Sequence, residues 1–225
     1  MPPIFSSRVV LTAPPFADFA VTNASSPWTE TPQWPARWIS LLHPPQPPFV
    51  AAYRLDFELL EKFQFRAHVT GDERYELFLD AERIGRGPAR APRGWWHFES
   101  FDFEIPAGKH SLVARVWSLG DLAPWAQTTF RHGFLFTPEN EALWDVVATG
   151  RANWRGKKLP GYGFIAPQTQ SGALIGIGAS FDIQGADFDW NWLHADAQSW
   201  DTTKAGASGN SGFTLYVKDL SLIHI

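Results

Sequence analysis

Apolar and polar residues alternate along the middle of the chain with the period of two that is typical of β-strands. The segments VAAYRLDFEL (50–59) and FQFRAHVT (63–70) show this most clearly, with charged or polar side chains between the apolar ones. We therefore expect both segments to be strands with one buried face. The residues predicted to face the core are Tyr53, Leu55, Phe57, Leu59, Phe63, Phe65, Ala67 and Val69.

Further strand patterns follow at short intervals, in RYELFLD (74–80), FESFDFEIP (98–106) and SLVARVWS (111–118). Both faces of the last segment are apolar, which predicts a strand in the centre of a sheet. Segments 128–138 and 142–158 are compatible with more strands.

Turns are predicted between these strands, at AER (81–83) and at AGKH (107–110), where glycine can adopt positive φ. The strands are short and closely spaced, and no periodic helix separates them. We therefore predict an all-β fold, an antiparallel jelly-roll-like β-sandwich.

Proline and glycine divide the chain into three parts. Residues 1–49 are rich in proline, which removes backbone donors and restricts the preceding residue, so we predict an irregular lead-in. The apolar anchors of this lead-in are predicted to be Trp34, Trp38 and Ile39. Residues 50–160 are predicted to form the sandwich, and residues 161–219 a loop-rich Gly/Trp-rich extension or the start of a second β-domain.

The composition narrows the classes of function. The 225 residues contain no cysteine, which excludes disulfides and thiolate metal sites. A net charge of −4 offers no footprint for nucleic acid or an anionic membrane, so neither is expected as a partner. No apolar run approaches the roughly 20 residues that span a bilayer, and no signal-peptide pattern opens the chain, which predicts a cytoplasmic protein.

Motifs for metals and catalysis are weak. Asp187, Asp189 and Asn191 begin like a calcium-binding loop, but Trp192 and Gln198 stand where glycine and glutamate are required. The sequence contains no nucleophile elbow and no phosphate-binding loop. We therefore predict no cofactor, and a calcium site has no motif to support it.

Tryptophan is unusually frequent, with twelve in the chain. An indole ring buries a large flat surface and keeps an N–H donor, so it serves hydrophobic cores as well as platforms for sugar rings. The count alone leaves both roles open.

The segment VTGDERYELFLDAERIGRGPARAPRGWWHFESFDF (69–103) carries a more specific pattern. It resembles the N-terminal β-sandwich region of bacterial α-L-rhamnosidases, glycoside hydrolase family 78. There, a D-x-R-Y-x-L-x-x-N-G strand and turn precede G-x-G-P-x-R and an aromatic-rich strand. The matching residues are Asp72, Arg74, Tyr75, Leu77, Gly85, Gly87, Pro88 and Arg90. The chain departs from the pattern at DAER (80–83), where the family prefers an asparagine-glycine turn.

The resemblance extends to both sides, over residues 34–205. PARWIS with AAYRLDFEL (35–59) is similar to the aromatic lead and first sandwich strand of that family. LWDVVATGRANWR (143–155) is similar to its D-x-x-W segment, and residues 180–205 to its linker toward the next β-domain. Related sandwich modules also occur beside other glycosidases.

The resemblance implies where hydrolysis of terminal L-rhamnosides would occur. In family 78, carboxylates of a large (α/α)₆ barrel supply the general acid and the base that activates water, with inversion. No segment of the present chain has the pattern of a barrel helix. We therefore predict a non-catalytic N-terminal fragment without catalytic residues. Its predicted partners are the downstream domains of a longer chain and glycans that contain L-rhamnose.

An aromatic and charged edge within the matched segment could bind a sugar. Its candidate residues are Asp72, Arg74, Arg90, Trp95 and Trp96, which combine charges for hydroxyl groups with ring faces. The alternative is structural: the charged residues would hold loops through charge-assisted hydrogen bonds while an indole packs on the sandwich. For the whole chain, two other classes stay open: a stand-alone carbohydrate-binding module, and an accessory sandwich of another glycosidase or an esterase.

The last six residues, LSLIHI (220–225), can be encoded by CTG-TCT-CTT-ATA-CAC-ATC, the transposon mosaic-end adapter of sequencing libraries. We therefore expect a non-native tail, in place of native sequence that continues further. The alternative is a genuine terminal strand.

Overall fold

The computed structural model describes residues 5–16, 20–23, 26–32, 34–89, 95–123, 131–165, 180–183, 187–208 and 214–216, in which strands predominate. The strands are β1 (Phe5–Val9), β2 (Ala20–Asn23), β3 (Ser26–Pro32), β4 (Arg37–Ser40), β5 (Phe49–Leu59), β6 (Phe63–Asp72), β7 (Arg74–Leu79), β8 (Glu82–Gly87), β9 (Trp95–His97), β10 (Glu99–Ile105), β11 (Gly108–Ser118), β12 (Gly133–Pro138), β13 (Arg155–Leu159), β14 (Tyr162–Ile165), β15 (Ser180–Ile183), β16 (Asp201–Thr202), β17 (Lys204–Ser208) and β18 (Thr214–Tyr216). The helical segments are α1 (Trp144–Val147) and 3-10 turns at Gly120–Leu122, Glu141–Leu143 and Ala197–Ser199. Within the described residues, no helix has the length and apolar character needed to cross a membrane.

Two six-stranded sheets form the sandwich. The strand order is β1-β10-β6-β12-β4-β17 in the first sheet and β16-β13-β5-β11-β7-β8 in the second. Neighbouring strands in both sheets are antiparallel. The predicted all-β antiparallel sandwich is therefore confirmed. Three two-stranded pairs accompany it: antiparallel β2–β3 and β14–β15, and parallel β9–β18.

The interior core lies between the sheets and takes alternate residues of each long strand. Along β5, Tyr53 and Leu55 are buried in it, whereas Asp56 and Glu58 on the opposite face are exposed. Seven of the eight predicted core residues are buried there, and Phe63 packs against the same cluster while partly exposed. Each buried large apolar side chain contributes about 1.5–3 kcal/mol, so the alternation fixes which face turns inward.

The strand with two apolar faces, β11, lies between β5 and β7, which confirms the predicted central position. Leu112 and Ala114 enter the interior core, while Val113 between them packs on the outside of the second sheet. Both faces of β11 are therefore buried, which explains why the alternation is lost in this segment.

Aromatic residues also cover the outside of each sheet. The first outer layer, on the first sheet, contains Phe16, Trp34, Ala36, Trp96, Phe98, Leu135 and Ala148, with Leu11, Trp38 and Trp144 packed against them. The second outer layer, on the second sheet, contains Val50, Ala52, Val113, Leu159, Phe188, Trp192, Ala197 and Trp200. The three predicted anchors of the lead-in are in place: Trp34 and Trp38 belong to the first outer layer, and Ile39 lies in the interior core.

Strands from outside residues 50–160 complete both sheets. β1 and β4 join the first sheet from the predicted lead-in, and β17 joins it from the predicted extension. β16 extends the second sheet beside β13. The division into residues 1–49, 50–160 and 161–219 stays a prediction. Residues 220–225, the predicted tail, lie outside the described residues.

The first part of segment 142–158 is helical and not a strand. The Asn140 side chain accepts a hydrogen bond from the Ala142 N–H at 3.0 Å and starts the 3-10 turn that leads into α1. The strand expected here is confined to β13. An asparagine N-cap thus outweighs the strand preference of the paired valines 146 and 147.

The hairpin between β7 and β8 turns at Asp80 and Ala81, one residue earlier than predicted. Both residues have positive φ, 49° and 68°, as a two-residue type I′ turn requires. The Asp80 carboxylate accepts the Ser111 N–H at 2.7 Å and lies 2.7 Å from Nδ1 of His110. Asp80 and Ala81 therefore form a left-handed turn although the asparagine-glycine pair is absent, and the contacts of the Asp80 carboxylate stabilise it.

Candidate ligand cavity beside the first sheet

A cavity of about 130 Å³ lies beside the first sheet. Its wall is formed by β4, β6, β9, β17 and the residues at the start of β12. Its lining includes Trp38, Asp72, Trp96, Arg131, His132 and Lys204. The described lining thus combines two indoles, one carboxylate, two cations and one imidazole.

Strand pairing brings these residues together from distant parts of the chain. Asp72 lies opposite Gly133 in the β6–β12 pair, and Lys204 lies opposite Ser40 in the β17–β4 pair. A Cβ at Gly133 would lie 3.1 Å from a ring carbon of Trp38. Glycine at this position therefore lets the indole approach the backbone of β12 and form part of the wall.

The carboxylate of Asp72 is built into this wall. The side chain is only 3% exposed, and its Oδ2 accepts the backbone N–H of Arg131 at 2.7 Å. The contact ties the end of β6 to the residues that lead into β12. Asp72 therefore fixes the position of Arg131 at the cavity.

The neighbouring Glu73 is buried but does not belong to the lining. Its Oε1 accepts the N–H groups of Leu119 and Gly120 at 2.7 and 3.1 Å. Burial nevertheless raises the pKa of Glu73 to about 8, and the nearby Asp72 charge acts in the same direction. A carboxyl held in this way is largely protonated at neutral pH.

His132 is a neutral residue in the wall. Burial lowers its pKa to about 3, and its ring packs 4.6 Å from that of Phe49. Its Nε2 lies 2.8 Å from the hydroxyl of Tyr53. Among the described residues, Nδ1 has no hydrogen-bond partner.

The structure brings two of the five predicted sugar-binding residues into the cavity, Asp72 and Trp96. Arg74 begins β7 opposite Trp117 of β11 and is not among the lining residues. Arg90 lies outside the described residues, as does the side chain of Trp95, whose backbone belongs to β9. A sugar-binding role for these residues stays a prediction.

Trp96 also fulfils the structural alternative. It is 8% exposed and packs in the first outer layer, so most of its ring area serves the fold. Trp38 is less deeply buried than Trp96 and also lines the cavity.

Sequence reasoning missed the other polar residues of the cavity, namely Arg131, His132 and Lys204. Arg131 and His132 precede the strongly apolar strand β12, a polar pair at a strand start that could have been noticed. No local signal places Lys204 beside Asp72, because only the β17–β4 pairing does so.

A second polar group, formed by Ser100, His68 and Glu139, has the composition of a hydrolase triad. Nδ1 of His68 lies 2.9 Å from the Ser100 hydroxyl, and Nε2 lies 3.1 Å from Oε1 of Glu139. The exposure of these residues does not suit nucleophilic attack. Ser100, which would be the nucleophile, is only 3% exposed, whereas the Glu139 side chain is 43% exposed. The rings of Phe16, Trp34 and Phe98 surround the imidazole, and burial lowers its pKa. The group therefore stabilises the first outer layer.

Fold and cavity together define an all-β sandwich with a small surface site of mixed aromatic and charged character. Among the described residues, no group of three histidine, aspartate or glutamate side chains is placed to hold a metal ion. The arrangement is suited to binding a small polar ligand that has one apolar face.

The solved structures that share this fold include two rhamnosidases. The GH78 family rhamnosidase of Bacillus sp. GL1 is similar over 81% of this chain, with a TM-score of 0.67 and 21% identity. The α-L-rhamnosidase from Dictyoglumus thermophilum is similar over 83% of the chain, with a TM-score of 0.55 and 17% identity. The matched regions make up 20% and 22% of those chains, so the present chain spans about a fifth of their length.

The comparisons of sequence are negative: no family model and no curated protein matches the chain. The likeness to the two rhamnosidases is therefore a likeness of fold.

Proposed function

We propose that the chain is a non-catalytic β-sandwich region of an α-L-rhamnosidase-like glycoside hydrolase, and that its cavity binds a sugar. The observation that carries the proposal is the fold match over four-fifths of this chain with a fifth of the Bacillus rhamnosidase. In this proposal, other domains of a longer protein hydrolyse terminal L-rhamnosides, and the sandwich supports them or holds the glycan.

The chemistry of the cavity supports sugar binding. Sugars present C–H faces that stack on indole rings and hydroxyl groups that pair with charged side chains. Trp38, Arg131 and Lys204 line the same cavity, which brings an indole ring and cationic donors to one ligand.

The same lining supports binding without cleavage. Asp72 is the one carboxylate among the described lining residues, and its Oδ2 is already engaged by the Arg131 N–H. Inverting hydrolysis requires a second carboxyl group about 6.5–9.5 Å away to activate water.

The proposal is tested by measuring hydrolysis and binding on the same sample. We expect no release of nitrophenol from p-nitrophenyl α-L-rhamnopyranoside. Isothermal titration calorimetry with monosaccharides, including L-rhamnose, should show binding with a Kd of the order of 1 mM, which is about −4 kcal/mol.

A matched pair of variants identifies the site. Trp38→Ala should abolish the calorimetric signal, whereas Trp190→Ala, which removes an indole that is 71% exposed outside the cavity, should leave it unchanged. Turnover of the rhamnoside, or a folded protein that binds no sugar, would contradict the proposal.

A further inference from the structure

We propose that the cavity is selective for an acidic sugar, a hexuronate, whose carboxylate pairs with Arg131 and Lys204. This inference rests on the proposed sugar-binding function and names the class of ligand for that site.

The first argument is the charge of the cavity. Arg131 and Lys204 both line it, and neither forms an ion pair with any residue in the described part of the chain. The one carboxylate of the described lining, Asp72, is buried and accepts the backbone N–H of Arg131. His132 is neutral above about pH 3. Among the described lining residues, two cations therefore accompany one carboxylate, which gives this part of the lining a surplus of positive charge.

The second argument is the chemistry of the two cations. A guanidinium group presents a planar fork of donors that fits a carboxylate with two parallel hydrogen bonds, and an ammonium group adds a compact point charge. Arg131 and Lys204 are both exposed at the cavity, so a ligand can reach them without displacing a protein partner that the structure describes.

The third argument is shape. A volume of about 130 Å³ is small beside the roughly 300–1,000 Å³ of pockets that enclose drug-sized ligands, so the cavity suits one ring of a glycan. Trp38 lines this cavity, and an indole is the kind of flat apolar surface on which the C–H face of a sugar ring stacks. A pyranose with a carboxylate satisfies both the indole and the cations. A neutral sugar leaves the two cations without a counter-charge, and a simple anion makes no apolar contact with the indole.

The test compares four ligands by calorimetry: methyl galacturonide, methyl galactoside, L-rhamnose and acetate. We expect the uronide to bind at least about tenfold more tightly than either neutral sugar, and acetate not to bind detectably. Raising the ionic strength from about 0.01 M to about 0.15 M should weaken uronide binding, because the screening length falls from about 30 Å to about 8 Å.

Single substitutions locate the charge that matters. Arg131→Ala and Lys204→Ala should each remove most of the preference for the uronide while keeping the weak binding of neutral sugars. Lys158→Ala removes an exposed lysine on β13 that does not line the cavity, and it should leave the preference unchanged. Circular dichroism and the unfolding temperature of each variant show whether it is folded.

The outcomes separate the two proposals. Equal affinity for the uronide and the galactoside, or a preference for L-rhamnose, overturns the acidic-sugar inference and leaves the proposed function standing. Acetate binding as tightly as the uronide also overturns it, because the cavity would then be a general anion site. Failure of every sugar to bind the folded protein overturns both.

Discussion

Both outer layers of the sandwich contain tryptophans and cationic side chains, but these residues are arranged differently in the two layers. In the second outer layer, cations cover the tryptophans: Arg115 lies over the Trp192 ring at 5.6 Å and Lys157 over the Trp200 ring at 4.8 Å. In the first outer layer, Trp38 and Trp96 border a cavity that also holds Arg131 and Lys204.

The cavity differs in the pairing of its cations, because elsewhere in the first layer Arg151 lies over the Trp144 ring at 5.3 Å and pairs with Asp145. In the second layer, Arg115 donates to Glu76 and to the Tyr162 hydroxyl, and Lys157 donates to Asp189 at 2.7 Å. The cations at the cavity have no such carboxylate among the described residues. A cation that pairs with a carboxylate of the same protein stabilises its layer. A cation that lines a cavity with an indole and has no such partner among the described residues is available to a ligand.

The largest expected effect concerns the second outer layer. Trp200→Ala should lower the free energy of unfolding by about 3–5 kcal/mol, because the ring is 4% exposed and its removal leaves a void beneath Lys157. Trp190→Ala, at an indole that is 71% exposed, should change it by no more than about 0.5 kcal/mol. Urea unfolding measures both, and similar values for the two variants would mean that the second layer is not a packed unit.

The next effect should appear as a dependence on pH at Glu73, the neighbour of the cavity residue Asp72. The pKa of Glu73 is about 8 in the folded protein against an ordinary 4.5, so the folded state holds the proton more tightly than the unfolded chain. Its contribution to stability is therefore complete below pH 4.5 and is lost as the pH rises to about 8. We expect the contribution to fall by up to about 1.4 kcal/mol per pH unit within that window.

Glu73→Gln keeps an acceptor for the Leu119 and Gly120 N–H groups and should abolish this fall.

His132 acts in the opposite sense: its pKa drops from 6.5 to about 3 on folding, so its contribution is lost as the pH falls through that range. The two effects oppose each other between pH 4.5 and 6.5. The free energy of unfolding of the unsubstituted protein should therefore decline most clearly between pH 6.5 and about 8. Urea unfolding curves that show no such decline would contradict the raised pKa of Glu73.

The smallest effects test the pairing of cations directly. Lys157→Met should cost about 0.5–1 kcal/mol of stability, because it removes a partly exposed ion pair and the contact with Trp200. Arg131→Ala and Lys204→Ala should each stay within about 0.5 kcal/mol of the parent in the same urea experiment. Equal losses at all three positions would erase the distinction between the two layers.

Local alternation was sufficient to predict the interior of the sandwich. In β5 and β6 the side-chain period decides which face is buried, and in β11 the loss of alternation marks burial on both faces. The prediction was wrong where a single cap decides: Asn140 starts a helical turn ahead of two valines that favour strands. It was one residue off at Asp80 and Ala81, where side-chain contacts from β11 hold a left-handed turn without glycine.

The cavity could be predicted only in part. Asp72 and Trp96 stood in a recognisable motif, but the pattern also included Arg74, which the structure places away from the lining. Arg131 and Lys204 reach the cavity through strand pairings between distant segments, and such pairings leave no periodic trace in the sequence.

The pairing of β4 with β17 also sets the order in which the protein can be assembled during synthesis. Lys204 lies opposite Ser40, so β4 leaves the ribosome long before its outer neighbour exists. At about 5–20 residues per second, β4 would wait roughly 10–30 s with that edge unpaired. An unpaired strand edge is a template for association with other chains. The nascent protein therefore carries an open sheet edge during this interval, until the strand that carries Lys204 completes the sheet.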